Sequence, residues 1–221
     1  MSYTDYLSKL FEENGNVEQA FPMKKYMKDL FPFLGIKTPA RNELLKEFYR
    51  ISGLLKDPFQ ADFVLELWDK EEREYQYAAL DYIKRSLKKL DKNHLSLMET
   101  LIMTKSWWDT VDMLAQHPVG KIASKFPEMI DEHIENWAYG KDMWLQRSAI
   151  LFQLRYKEDT NELLLYRFIK LHAESKEFFI QKAMGWALRE YSKTNSDSVK
   201  RFIETNQLPN LTIREGSKYL Q

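Results

Sequence analysis

Within Thr104-Lys-Ser-Trp-Trp-Asp-Thr-Val-Asp-Met-Leu-Ala115, two indoles and two carboxylates fall inside six residues. A helix with 3.6 residues per turn puts Trp107, Val111 and Leu114 on one face and Trp108, Asp112 and Ala115 on another. The first face has the character of core. On the second, an aromatic ring stands one turn from a carboxylate. That pairing holds a positively charged sugar or base against both a π-face and an anion. The face carrying Trp108 and Asp112 is therefore the candidate active site.

Other chemistries are poorly supplied. His94, His117, His133 and His172 show no His-x-x-x-His or Glu-x-x-His spacing and there is no cysteine, so neither a metal centre nor a thiolate nucleophile is expected. The chain has no Gly-x-Gly-x-x-Gly, no Walker loop and no Gly-x-Ser-x-Gly, which removes nucleotide-driven and serine-hydrolase readings; no cofactor is expected. Glu71 and Glu72 open a charge-dense helix and favour its dipole.

The elements that position the candidate site are helices. Only seven glycines and seven prolines punctuate 221 residues, β-branched runs are nearly absent, and 44% apolar residues suffice for a sizeable core. Asn16 caps a short piece over Val17 to Ala20, and Pro22 suits the first turn of a helix running to about Leu30. Thr38 caps the next helix, with Pro39 at its first position and an end near Ile51. Asp62 to Trp68, Glu71 to Leu87 and Leu95 to Met103 continue the pattern.

Tyr75-Gln-Tyr-Ala-Ala-Leu80 lies on Leu145-Gln-Arg-Ser-Ala-Ile150 at an offset of 70 residues, and Ile180-Gln-Lys-Ala-Met-Gly185 follows 35 later. A period of 35 makes Asp112, Arg147 and Lys182 equivalent. Helix pairs repeating at this length indicate an all-α, HEAT-like α-solenoid; a four-helix bundle is the structural rival. One domain over residues 1–221 is expected. Second helices lining a concave face would set the three charges in neighbouring rows ~10 Å apart. Trp108 lies one turn before Asp112, and Trp186 one turn after Lys182.

Lys plus Arg equals Asp plus Glu at 33 each, so overall charge names no partner. The distribution is uneven, however. Seven cations (Lys24, Lys25, Lys28, Lys37, Arg41, Lys46, Arg50) face three anions between Lys24 and Arg50, and Lys84, Arg85, Lys88, Lys89 and Lys92 form a second cluster. These are either solvated faces or the footprint of a polyanion. Without a signal-like N-terminus or a run of about 18 apolar residues, a soluble cytoplasmic protein with no membrane association is expected, acting as a monomer.

Tyr26-Met-Lys28, Phe33-Leu-Gly-Ile-Lys-Thr-Pro39, Thr104 to Asp112, Trp144-Leu-Gln-Arg147 and Phe179-Ile-Gln-Lys-Ala-Met-Gly-Trp186 together resemble the AlkD family of DNA alkylation repair glycosylases. The resemblance spans nearly the whole chain. It implies a HEAT-like solenoid with a concave DNA-binding face, which hydrolyses the N-glycosidic bond of N3- and N7-alkylated purines in double-stranded DNA without base flipping. By the same resemblance Asp112 is the catalytic carboxylate, Trp108 and Trp186 are cleft tryptophans, and Arg147 is a cleft arginine clamping a phosphate. Tyr26, Thr38, Arg41 and Arg189 become DNA contacts, joined by Lys182 from the charged row. Asn42 stands where some members carry a second arginine. The alternative is a non-catalytic solenoid that binds DNA or protein.

Overall fold

The computed structural model describes residues 2–220, which are all-helical apart from their connections. They gather into two compact units, one ending at Leu90 and one starting at Asp91, where the sequence reads as a single domain. Among the described residues no helix is long and apolar enough to cross a membrane.

The first unit contains α1 (Tyr3–Glu13), α2 (Val17–Tyr26), α3 (Thr38–Ser52), α4 (Ala61–Asp69) and α5 (Arg73–Arg85). Helix α1 has no counterpart in the sequence reading, although its signals are present. Ser2 and Asp5 form a reciprocal capping box, and Thr4, Leu7, Ser8 and Phe11 are buried at helical spacing against α3 and α4. Asn16 does cap α2, accepting from the Gln19 amide at 3.0 Å. Yet α2 is one helix with Pro22 inside it, where two pieces were expected. It stops at Tyr26, short of Leu30, because Lys28 and Asp29 turn left-handed (φ 58° and 60°). At α3 the cap is Lys37, and Thr38 is already helical. The Thr38 hydroxyl accepts from Arg41 Nη2 (3.3 Å) and caps nothing.

Aromatic rings fill the core of this unit: Phe48 stacks on Phe63 at 5.9 Å, and Tyr82 meets Phe63 edge-on at 5.3 Å. A buried carboxylate shapes the Phe33-Leu-Gly-Ile-Lys37 loop. Glu74 on α5 accepts from the amides of Leu34, Gly35 and Ile36 at 3.0, 2.9 and 3.0 Å. Three amide donors compensate its desolvation. Gly35 has φ 87°, and a Cβ there would stand 1.9 Å from the Asn16 carbonyl oxygen, so only glycine fits.

The second unit runs through α6 (Leu95–Met103), α7 (Trp108–Leu114), α8 (Gly120–Lys125), α9 (Glu135–Tyr139), α10 (Met143–Leu151), α11 (Glu162–Leu171), α12 (Phe178–Tyr191), α13 (Ser196–Thr205) and α14 (Asn210–Gly216). Helix α10 packs against both α7 and α12, and α12 against α14, so the helices carrying Asp112, Arg147 and Lys182 are consecutive neighbours. This is the stacking that an α-solenoid repeat requires. Directly after α7 the chain widens into a π-helical segment, Ala115–Val119. Pro118 lies inside it and lacks the amide that would continue an ordinary ladder.

Candidate active site

Asp112 sits in the middle of α7 and is only 8% exposed. The face carrying the candidate site is recessed: Ala115 is buried, while Trp108, the first residue of α7, is half-buried. Val111 and Leu114 are fully buried, as a core face requires. Trp107 departs from that face. It precedes α7 in extended conformation and joins Trp144 and Phe179 in an aromatic cluster, with centroids 5.0 to 5.8 Å apart.

Arg147 lies on α10, whose start is fixed by Asp142 accepting from the Trp144 and Leu145 amides at 2.9 and 2.8 Å. Its guanidinium donates from Nε to Asp112 Oδ1 at 2.7 Å and from Nη2 to Oδ2 at 2.9 Å. Nη1 donates to the Phe179 carbonyl on α12. This planar fork matches the carboxylate geometry that arginine is built for. The phosphate clamp expected of Arg147 is thereby corrected, since the side chain is 5% exposed and engaged with Asp112 and Phe179. Arg147 aims the carboxylate and neutralises it. Burial pushes the Asp112 carboxyl above the usual carboxylate range, opposed by the Arg147 hydrogen bonds.

Breaking such a pair strands a buried charge. Arg147→Ala is expected to destabilise the fold by about 3 kcal/mol, a fall of roughly 6 to 12 °C in melting midpoint by calorimetry. An unchanged midpoint together with a shallower salt dependence of DNA binding would restore the phosphate role.

Trp186 on α12 is half-buried and borders a cavity of about 510 Å³ whose lining includes Gln116, Gln153, Tyr191 and Lys193. Asp112, Arg147 and Trp108 do not line it. Gln116, one turn beyond Asp112, was not singled out by the sequence, although the 3.6 periodicity places it there. Lys182 and Arg189 flank Trp186 on α12, and neither projects alone. Glu215 of α14 accepts from Lys182 and Arg189, each at 3.0 Å, and from Lys218 at 2.8 Å. Lys218 and Lys182 hold the Glu215 carboxyl down to about 2. Gly185 permits this docking, since a Cβ there would meet Glu215 Cβ at 2.6 Å.

In the first unit, Tyr26 is 71% exposed at the last position of α2, and Thr38 is exposed at the start of α3. Arg41 differs from the expected exposed phosphate contact. It is buried, stacks 4.6 Å from the Tyr77 ring centroid, and donates to the Ile36 carbonyl at 3.4 Å as well as to Thr38. Burial lowers its pKa.

A family model described as DNA alkylation repair enzyme matches residues 7–220. The chain belongs to that family. A solved structure described as a predicted DNA alkylation repair enzyme from Enterococcus faecalis is 34% identical, with a TM-score of 0.85 over 93% of this chain and 96% of that one. No curated protein matches. Family membership gives the chain a role in DNA repair and agrees with its all-α fold.

Proposed function

We propose that the protein is a DNA glycosylase that hydrolyses the N-glycosidic bond of cationic N3- and N7-alkylated purines in duplex DNA, leaving an abasic site without base flipping. The observation that carries this reading is the buried Asp112 carboxylate, fixed by two Arg147 hydrogen bonds one helical turn from Trp108. Alkylation at N3 or N7 makes the purine cationic, so it departs without a general acid. As the C1′–N bond stretches, positive charge moves onto the deoxyribose. A preorganised carboxylate stabilises that charge and orients the attacking water. The indole faces of Trp108 and Trp186 add roughly 0.5 to 2 kcal/mol each where they meet the developing cation.

Affinity comes from phosphate contacts, which carry no sequence information and suit an enzyme that scans any duplex. Tyr26 and Thr38 are exposed for such contacts. Around Glu215, three cations with one carboxylate leave a net charge of +2 beside Trp186. Arg41 supports the segment bearing Thr38.

The test is release of methylated purines from treated duplex DNA, followed against pH. Only ionised Asp112 stabilises the sugar cation, and its raised pKa means the charge is lost earlier as pH falls. The single-turnover rate is expected to drop about tenfold per pH unit on the acid side, beginning above the ~3.9 of an ordinary aspartate. A rate flat from neutrality to below pH 4 would remove Asp112 from the chemistry.

A further inference from the structure

Helix α2 is built inside out. None of its side chains is buried, and Val17 and Phe21 are 88% and 64% exposed. At helical spacing Val17, Phe21, Lys24 and Lys25 share one face as i, i+4, i+7 and i+8. The half-buried positions Gln19, Ala20 and Met23 lie on the other side. Helices ordinarily turn their apolar stripe inward. Here the small and flexible residues face in, and valine and phenylalanine face out.

The helix does not need those side chains for anchorage, because backbone contacts hold it. The Asn16 amide donates to the Leu34 carbonyl at 2.7 Å, and Gly35 approaches so closely that a Cβ would lie 2.8 Å from the Ala20 nitrogen. Glu74 in turn fixes the Leu34–Gly35–Ile36 turn through three amides. On the outward face Lys25 Nζ stands 4.9 Å from the Phe21 ring centroid.

We infer that this α2 face is a DNA-docking surface: Val17 and Phe21 enter the minor groove, while Lys24 and Lys25 neutralise phosphates on its rims. The inference rests on the DNA-binding reading of the protein but not on the chemistry at Asp112. Charge complementarity selects the occupant. An apolar pair bordered by cations matches a groove whose floor is sugar and base edge and whose walls are anionic. A second copy of the chain would bring Lys24 and Lys25 against their own equivalents, and like charges oppose that pairing. A lipid surface needs a broader apolar face than two side chains.

The test uses the full chain and a short undamaged duplex, with affinity read by fluorescence anisotropy. A Val17→Ala/Phe21→Ala variant is expected to bind about tenfold more weakly. Its melting midpoint should stay unchanged, because exposed side chains contribute no packing. Lys24→Ala/Lys25→Ala is expected to make the logarithmic salt slope shallower by roughly 1.8. Unaltered duplex affinity in Val17→Ala/Phe21→Ala overturns the inference, as does a midpoint lowered by several degrees. So does sedimentation of the parent, but not of that variant, with phosphatidylglycerol vesicles. A parent that excises nothing yet binds duplex through α2 removes the glycosylase reading and leaves this inference standing.

Discussion

Asp112→Asn is expected to lower single-turnover excision of 7-methylguanine from duplex DNA by about a hundredfold or more. Asparagine keeps the volume of the buried side chain and one acceptor for Arg147, but it removes the charge opposite the developing sugar cation. The amide NH2 also faces a guanidinium donor where Oδ2 accepted at 2.9 Å. Arg147 is thereby loosened and a negative charge near the phosphates disappears, so DNA affinity should stay constant or improve slightly. The diagnostic pattern is a collapsed rate with intact binding and a cooperative thermal transition. An Asp112→Asn protein with full activity would sink the assignment, because the indoles of Trp108 and Trp186 contribute only roughly 0.5 to 2 kcal/mol each to the sugar cation.

Much of this site was legible because helical repeats translate sequence offset into position. The 35-residue period pairs Asp112 with Arg147, and those two residues are hydrogen-bonded. Leu95–Met103 has the bounds its periodicity predicted. What periodicity cannot convey is where a long side chain spends its donors. Arg147 could reach out to a phosphate or inward to Asp112, and only the packing of α7, α10 and α12 decides. Glu215 escaped notice because it meets Lys182 and Arg189 through the docking of α14, which no internal repeat announces. In the sequence Glu74 is one more charge near the start of a helix, with nothing local to mark it. It is buried because the Leu34–Ile36 loop folds back onto it, 38 to 40 residues away in sequence. Helix α1 carries both its capping box and its apolar spacing in the sequence itself, so it is legible there without any tertiary contact.

Lesion selectivity should follow charge and not size. A carboxylate whose two oxygens both accept from Arg147 is not set up to donate a proton to a leaving group, so catalysis depends on a base that already carries positive charge. Uracil is neutral and leaves poorly under those terms. Glycosylases that flip the base into a tight pocket limit substrates by the pocket's volume. The cavity of about 510 Å³ here borders Trp186 and is not lined by Asp112, Arg147 or Trp108, so it is not a base pocket closed around the carboxylate. A bulky cationic N3 or N7 adduct, several times larger than methyl, is therefore expected to be excised, whereas uracil in the same sequence context is not. Single-turnover release from matched duplexes measures both. Rapid uracil excision, or refusal of the bulky cation alongside good activity on 7-methylguanine, would mean that the site reads shape, and the mechanism built on Asp112 and the two indoles would have to be replaced.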